Sequence, residues 1–394
     1  MTNLPQGWKW KSLGEICFIT DGTHKTPNYI ETGIPFLSVK NISKGFFDLS
    51  DVKYISLEEH NKLIKRAKPE FGDILICRIG TLGKAIKISL EFEFSIFVSL
   101  GLLKPKVKII SDYLVYFLNS CFIEEWINDN KVGGGTHTAK LNLNILEKCP
   151  IALPPLKEQE RIVGILDESF AKIDESIKIL EQNLLNLDEL MQSALQKAFN
   201  PLKDNAKENY KLPQGWEWKS LEEISENISA GGDKPKNCTE SKTAKNQIPV
   251  YANGVSNNGL VGYTDKATII KPSLTISARG TIGFVCIRKE PYFPIVRLIS
   301  LIPCENILCL HYLYFCLNFF IAKGEGSSIP QLTIPKFKSL QIPLPPLKEQ
   351  EQIAKHLDFV FEKTKALKEL YTKELKDYEE LKQSLLNKAF KGEL

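Results

Sequence analysis

The chain has 394 residues, more than one hydrophobic core usually serves, so two large units are expected. Its composition, 43% hydrophobic and 25% charged, is typical of a globular protein, and its net charge is only +4. A balance this small excludes a strongly basic tail, so any binding of nucleic acid would have to rest on local clusters of cations.

Nine cysteines are scattered through the chain, and none belongs to a Cys-x-x-Cys pair. Cys304 and Cys309 stand close together, but no second pair of ligands follows at zinc-site spacing, so no metal site is predicted. Reduced, buried thiols are the simpler interpretation and indicate a reducing compartment. Residues 1–11 lack the apolar centre of a signal sequence, and apolar runs such as 96–103 are too short to span a bilayer. We therefore expect a cytoplasmic protein without a membrane partner.

The opening of the chain returns near its middle. Residues 4–16 read LPQGWKWKSLGEI and residues 212–224 read LPQGWEWKSLEEI, which agree at eleven of thirteen positions. Pro-Gln-Gly predicts a turn, the alternating tryptophans a half-buried strand, and Ser12 and Ser220 the caps of a short helix. We expect these tryptophans to anchor each unit rather than to bind a ligand.

Residues 17–150 read as short strands and turns with one helix near the end. Segments 34–39 and 72–77 have the composition of strands. Residues 112–128 have helical spacing, and a corresponding helix is predicted at 310–320 in the second half of the chain. The apolar face of the first of these helices is formed by Leu114, Phe117, Leu118, Phe122 and Trp126.

Two glycine-containing segments also occur twice. RIGTLG at 78–83 is matched by ARGTIG at 278–283, and GGGTHTAKL at 133–141 is matched by GEGSSIPQL at 324–332. The segments between these elements differ in length and in sequence. Such a combination is expected of one scaffold that carries two different recognition surfaces.

The segment LPPLKEQE occurs at 153–160 and again at 344–351, and each copy opens a long amphipathic run. Proline is tolerated in the first turn of a helix. The run 155–199 would be about 68 Å long as a helix. Its apolar residues follow the alternating four-and-three spacing of a coiled-coil seam: Leu166, Phe170, Ile173, Ile177, Leu180, Leu184, Leu187, Met191, Ala194 and Ala198.

The second run shows no comparable single seam among its apolar residues. Its stripe is broader, and Thr364 and Glu374 interrupt it. Two helices of equal length in one chain would bury their stripes against each other, although a partner protein for each helix is an alternative. Between them, the polar segment 200–210 reads as a linker. The stripe contains Leu357, Val360, Leu367, Tyr371, Tyr378, Leu381 and Leu385.

The chain contains none of the common catalytic signatures. It has no Walker-type phosphate loop, no GxGxxG between a strand and a helix, and no Asn/Asp-Pro-Pro-aromatic tetrapeptide of the kind that adenine methyltransferases use. Its five histidines do not form a metal-binding pattern such as H-E-x-x-H. We therefore expect no enzymatic activity and no catalytic residue.

Polar and basic loops at matching places in both halves favour nucleic-acid binding. Glycine loops with hydroxyl groups let backbone amides approach phosphate, and Asn or Gln side chains suit the adenine edge. Simple solvation of polar loops is the alternative at each single position. The candidate DNA contacts are Thr23, His24, Lys25, Asn28, Arg78, Thr81, Lys84, Lys131, Thr136, His137 and Lys140 in the first half, and Lys234, Lys236, Asn253, Asn257, Arg279, Thr281, Ser327, Ser328 and Gln331 in the second.

The doubled Leu-Pro-x-Gly-Trp opening, Gly-Thr-x-Gly turn and Leu-Pro-Pro-Leu-x-Glu-Gln helix start resemble the specificity (S) subunit of type I restriction–modification systems. The likeness covers residues 4–394 and implies an α+β fold with internal pseudo-two-fold symmetry. Two similar strand-rich target recognition domains would be joined by two long antiparallel coiled-coil helices. Ile79 is a departure, because it interrupts the Arg-Gly-Thr order of residues 279–281. The expected segments are 1–153 and 212–344 for the recognition domains, 154–200 and 345–394 for the helices, and 201–211 for a linker.

The resemblance also implies a non-catalytic part in DNA recognition. Each domain would read one half of a split double-stranded target, while the helices set the gap and dock two methyltransferase subunits. Those partners would bring S-adenosylmethionine and flip out the target adenine, and restriction subunits would use ATP and Mg²⁺. No cofactor is expected in this chain itself. The alternatives are a coiled-coil adaptor that does not bind DNA and a vestigial specificity protein that acts alone.

Overall fold

A computed structural model of the chain contains two compact units. The first consists of residues 1–180 and 373–394, and the second of residues 181–372. The structure describes residues 4–134, 139–199, 212–321 and 331–394. The predicted linker lies outside these ranges, as do four candidate contacts: Thr136, His137, Ser327 and Ser328.

The first unit is built from short strands and helices, ahead of a long helix. In chain order these are β1 (Lys9–Ser12), α1 (Leu13–Ile16), β2 (Cys17–Asp21), β3 (Ile34–Leu37), β4 (Lys53–Ile55), α2 (Leu57–Leu63), β5 (Ile74–Cys77), β6 (Ala85–Lys87), β7 (Ser95–Ile96), β8 (Leu100–Pro105), α3 (Ser111–Leu118), α4 (Cys121–Asn130), α5 (Leu143–Leu146), β9 (Pro150–Leu153) and α6 (Leu156–Phe199).

These strands form an antiparallel pair β1–β9, an antiparallel sheet ordered β2-β8-β5-β6, and a mixed sheet ordered β4-β3-β7. The central strand β5 is buried on both faces, and its side chains alternate between two cores. Ile74 and Ile76 pack with α3, while Leu75 and Cys77 pack under the mixed sheet. This two-residue period explains why the whole strand is apolar.

The helix predicted over 112–128 is divided into α3 and α4. The break falls at Asn119, whose side chain contacts the edge of β6: its Oδ1 accepts from the amide of Ala85 at 3.1 Å, and its Nδ2 donates to the carbonyl of Ala85 at 2.8 Å. The hydroxyl of Ser120 then donates to Phe117 O at 2.7 Å. These polar contacts take the chain out of the helix, so the prediction of one continuous helix was wrong.

The second unit repeats the order of the strands of the first. After α6 come β10 (Glu217–Ser220), α7 (Leu221–Ile224), β11 (Ser225–Ala230), β12 (Ile248–Tyr251), β13 (Leu260–Thr264), β14 (Ser273–Ile276), β15 (Val285–Arg288), β16 (Phe293–Pro294), β17 (Ile299–Pro303), α8 (Leu310–Phe320), α9 (Ile334–Lys338), β18 (Gln341–Leu344) and α10 (Leu347–Lys391). Between β13 and β14, where the structure describes every residue, no helix lies in the place of α2. The sheets are β10–β18, β11-β17-β14-β15 and β13-β12-β16, each matching one of the first unit.

The doubled opening segment forms the same turn and cap in both units. Gly7 and Gly215 have φ values of +87° and +88°, a region that favours glycine. Each begins a strand whose tryptophans pack into the core of their own unit, as predicted. The predicted helix starts are also confirmed, since the backbone amides of Ser12 and Ser220 donate to the carboxylates of Glu15 and Glu223, three residues later, at 2.7 and 2.8 Å.

The repeated glutamine of the long-helix start explains why that segment is doubled. Gln159 is 1% exposed, and its side chain joins Ile110 N to Pro154 O, each at 2.9 Å. Gln350 is fully buried and makes the equivalent bonds to Cys309 N at 2.9 Å and Pro345 O at 2.8 Å. Each glutamine therefore fastens the first turn of a long helix to the segment before α3 or α8.

The two long helices run antiparallel to each other within each unit. In the first unit, Leu166 shares a core with Leu386, and further along α6 Asp174 pairs with Lys382 at 2.5 Å. In the second unit, Asp188 pairs with Lys368, and Phe199 shares a core with Leu357. Advancing along α6 thus means moving back along α10. All ten predicted seam residues of α6 are buried or half-buried.

Helix α10 also carries a row of buried and half-buried positions at four-and-three spacing, which its apolar residues alone do not show. Polar residues occupy several positions of this row, including Thr364 at 2% exposure, while Leu386 and Phe390 are buried outside it. Leu367 and Leu381, assigned to the stripe from the sequence, are 39% and 44% exposed. Lysine stems are apolar and can line a seam while the ammonium reaches water, which hid the pattern. The seam contains Ala354, Leu357, Phe361, Thr364, Lys368, Tyr371, Leu375, Tyr378, Lys382, Leu385 and Ala389.

Candidate nucleic-acid interface

The Gly-Thr-x-Gly turn and the segment after the glycine loop lie side by side in both units. In the first, Leu141 N donates to Arg78 O at 2.9 Å, and Ile79 forms an antiparallel bridge with Lys140. In the second, Leu332 N donates to Ala278 O at 3.2 Å. In both units the glycine turn therefore lies beside a segment that follows it by some fifty residues or more in the sequence.

The turns expose their backbone. Gly80 and Gly280 have φ values of +82° and +68°, and nothing lies within 4 Å of the place that a Cβ atom would take on either residue. Thr81 is exposed and Thr281 half-buried on the same turns. An exposed turn of this kind can offer amides to a phosphate.

Arg78 is enclosed rather than presented at the surface. It is 7% exposed, and its Nη1 lies 2.5 Å from the carboxylate of Asp21, which is 1% exposed. Its Nε donates to Leu141 O at 3.0 Å, and its Nη1 also donates to Val98 O at 3.3 Å. Because the buried carboxylate holds the guanidinium, Arg78 holds three segments of the first unit together, and its contact with DNA stays a prediction.

Asp21 also contacts two side chains that reach the surface of the first unit. These are Arg66, which is half exposed, and His24, whose Nε2 lies 3.1 Å from Oδ2 of Asp21. Burial by itself would raise the pKa of Asp21, but the guanidinium groups of Arg66 and Arg78 outweigh burial and hold that pKa below its usual range. Asp21 is therefore charged at neutral pH and fixes two neighbouring cationic or polar side chains.

A basic cleft, here called the α2 cleft, forms beside Asp21. It has a volume of about 360 Å³ and brings three predicted contacts together with cations that sequence reasoning missed. Lys62 and Arg66 lie some forty residues away in sequence, on α2 and just after it; the basic run around residues 62–68 was the available signal. The lining residues are Thr23, His24, Lys25, Lys62, Leu63 and Arg66.

A second cavity of about 440 Å³ lies between the first unit's turn and α4. It gathers the predicted contacts Thr81, Lys84 and Lys131, and the Nζ of Lys131 donates to Asn128 Oδ1 at 2.8 Å. Asn28 is exposed and lines neither cavity. Within the described residues, the first unit's candidates are therefore not gathered in one cavity.

Asn253 has a positioning role in the second unit. Its Oδ1 accepts from Ala278 N at 2.8 Å, and its Nδ2 donates to Val296 O at 2.6 Å. Both ends of the amide thus form hydrogen bonds within the protein, and the contact of Asn253 with DNA stays a prediction. It fastens the glycine turn to the loop after β16.

Asn257 lies on a turn that a buried arginine supports. Asn257 and Asn258 have φ values of +48° and +51° and are exposed. Arg288, 8% exposed, donates to Asn258 O at 2.5 Å and to Thr275 Oγ1 at 3.0 Å, and it stacks 3.5 Å above the Tyr251 ring centroid. Sequence reasoning did not find Arg288, because an isolated arginine at the end of a strand gives no signal.

Three further second-unit candidates, Lys234, Lys236 and Arg279, are accessible. Arg279 is exposed, and its Nη2 donates to Gln331 Oε1 at 3.1 Å, so two predicted contacts touch each other. Lys234 and Lys236 are exposed after Gly231 and Gly232. The backbone of this glycine pair accepts hydrogen bonds from the loop that carries the exposed Arg297, at 2.8 Å each, which adds a cation that the sequence did not suggest.

The cysteines are free thiols in the described parts of the chain. All nine lie within those ranges, and burial raises the pKa of Cys17, Cys77 and Cys149 to about 12. Among the described residues, no three His, Cys, Asp or Glu side chains cluster as metal ligands would. None of the described helices combines the length and apolarity needed to cross a membrane.

The repeated frame and its paired loop surfaces match a known family. The model of the type I restriction modification DNA specificity domain matches this chain twice, at residues 5–185 and 213–377. The chain belongs to this family.

Named relatives and solved structures agree with this assignment. A Mycoplasma pneumoniae protein that carries the name of a type I specificity subunit is 31% identical over 268 residues, covering 68% of this chain and 69% of its own. The StySPI specificity subunit of Salmonella potsdam is 25% identical over 99% of this chain and 90% of its own.

In fold, the chain is similar to a protein from a structure of type I R-M system assembly, with a TM-score of 0.83 over 100% of both chains at 22% identity. The HsdS subunit of Thermoanaerobacter tengcongensis gives a TM-score of 0.61 at 22% identity, covering 100% of this chain and 99% of its own. Both similarities in fold cover the whole chain, including the two α+β units and the long helices.

Proposed function

We propose that this chain recognises a split DNA sequence for a type I restriction–modification complex, with one half of the target read by each unit. The observation that carries this is the contrast between frame and surface. The sheets, turns and helix starts of the units coincide, whereas the loops they carry do not: the first has the α2 cleft and the second the Asn257–Asn258 turn.

The surface chemistry supports contact with DNA. Lys25, Lys62, Lys140, Lys234 and Arg297 are exposed cations of the kind that contact phosphates. Asn257 offers an amide that suits an adenine edge. The chain's own residues position and bind DNA and perform no bond chemistry.

The expected partners carry the catalysis. Two methyltransferase subunits would dock on the assembly with S-adenosylmethionine, and restriction subunits would act with ATP and Mg²⁺. The paired helices α6 and α10 would act as the spacer that sets the unread gap. Their antiparallel packing within each unit supports a rigid spacer.

A domain exchange tests this division of labour. Residues 17–150 are replaced with the corresponding segment of another specificity subunit, the chain is expressed with its methyltransferase subunits, and the methylated sequence is mapped across the genome. One half of the target should change, while the other half and the gap stay the same because the second unit and the helices are unaltered.

The matched control exchanges residues 225–340 and should change the opposite half. A change in both halves, or a change in the gap, would contradict the proposal. The complete absence of sequence-specific methylation, with methyltransferase subunits bound and active, would instead favour an adaptor role.

A further inference from the structure

In each unit, one position on the glycine turn and one position after the glycine loop together carry a single cation. The cation lies after the loop in the first unit and on the turn in the second. The turn repeats after 200 residues and the glycine loop after 191, so Ile79 corresponds to Arg279 and Lys140 to Gln331. The first unit thus has an apolar residue on the turn and a lysine after the loop. The second has an arginine on the turn and an amide after the loop.

The two pairs occupy the same place in the frame. Ile79 and Lys140 face each other across an antiparallel bridge, and residues so placed have their Cβ atoms about 4.5–5.5 Å apart. The side chains of Arg279 and Gln331 touch at 3.1 Å. In both units the next residue after the loop position donates its amide to the carbonyl preceding the turn position.

Both cations are available to a ligand. Lys140 and Arg279 are exposed, and within the described ranges neither forms an ion pair with a carboxylate. Beside each stands the exposed glycine turn, at Gly80 or Gly280, with open space above its backbone. A cation beside accessible amides suits an anionic oxygen such as that of a phosphate.

We propose that Lys140 and Arg279 are equivalent contacts to the DNA backbone, one for each half of the target. This rests on the proposed function. The surrounding recognition loops differ between the units, whereas the charge at this place is retained although its source has moved. A contact shared by two domains that read different sequences carries no sequence information, so it holds the DNA through its phosphates.

The test transplants each arrangement onto the other unit. In the first unit, Lys140→Gln removes the cation, and Ile79→Arg with Lys140→Gln installs the Arg/Gln pair of the second unit. In the second unit, Arg279→Ile removes the cation, and Arg279→Ile with Gln331→Lys installs the Ile/Lys pair of the first. Each full-length variant is assembled with its methyltransferase subunits.

Binding is measured at several salt concentrations on a duplex that carries the genome-mapped methylated sequence and on duplexes with one base pair altered. Each single variant should reduce the slope of log affinity against log salt by about 0.9, the value for one phosphate contact. Over a fourfold rise in salt, its affinity should therefore fall about threefold less than that of the unaltered complex. Each double variant should restore the original slope.

Three results would overturn the proposal: unchanged slopes in both single variants, slopes that neither double variant restores, or a loss confined to one base pair, which would make the cation a base reader. Thermal unfolding of each variant confirms folding; if Ile79→Arg disturbs the first unit, the exchange in the second unit still decides. Failure of the unaltered complex to bind its mapped sequence would refute the proposed function instead.

Discussion

The two units hold the glycine turn against the loop after β7 or β16 in different ways. In the first, the guanidinium of Arg78 joins Asp21, Val98 and Leu141. In the second, the amide of Asn253 joins the glycine turn to the loop after β16. The shared fold therefore uses a polar side chain to join these loops, but the residue type differs between the units.

The ion pair of the first unit has an apolar counterpart in the second. Asp21 and Ala230 lie at the same rung of their ladders, β2–β8 and β11–β17, and Arg78 corresponds to Ala278. A buried ion pair is thus dispensable to this fold, in agreement with the finding that apolar replacements of such pairs can be neutral. What the pair adds is local: Asp21 also holds Arg66 and His24 at the α2 cleft.

The largest effect is expected from breaking the pair on one side only. Arg78→Ala removes the enclosed partner of the buried Asp21 carboxylate, while Arg66 still contacts it. The free energy of unfolding of the first unit should therefore fall by about 3 kcal/mol, the low end of the range for breaking a buried pair. Denaturant unfolding measures this. Asp21→Ala with Arg78→Ala reproduces the alanines of the second unit and should recover at least half of the loss; a double variant as unstable as the single one would contradict the comparison.

The second largest effect is expected in the pH dependence of the free energy of unfolding, to which Asp21 contributes in the first unit. The folded-state pKa of Asp21 lies below its usual range, so its stabilising contribution is fully present above the unfolded value of about 4. That contribution is lost as pH falls from about 4 through the depressed folded value, because the unfolded chain takes up the proton first. The difference in unfolding free energy between the unaltered chain and the double alanine variant should therefore shrink over that range. A difference that does not change with pH would show that Asp21 contributes no ion-pair stability.

The smallest effect is expected in the helix seam. Lys368 and Lys382 occupy the places that Ile177 and Met191 hold on α6, and each pairs with a largely exposed aspartate. Lys368→Ile and Lys382→Met should each change the free energy of unfolding by less than about 1 kcal/mol, since such pairs contribute little.

Leu357→Ala is the control for the seam, because Leu357 is fully buried and its truncation should cost about 2–5 kcal/mol. Loss of a comparable amount in either lysine variant would show that the charges, not the apolar stems, hold α10 in place.

The sequence alone determined the frame. Identical segments in both halves predicted the turns, the caps of Ser12 and Ser220 and the starts of the long helices, and the four-and-three spacing predicted the seam of α6. The helix at 310–320 is also where the pattern indicated. These features follow from local periodicity and turn chemistry, which neighbouring residues decide among themselves.

Only the tertiary structure decided which polar residues stay exposed and which bond within the protein. Arg78 and Asn253 are candidate contacts in the sequence, but both side chains bond to partners 57 and 43 residues away, which no local pattern shows. The seam of α10 was hidden because a lysine stem can be buried while its charge is not. The α2 cleft likewise depends on packing that brings Arg66 to Asp21, a contact that no local pattern encodes.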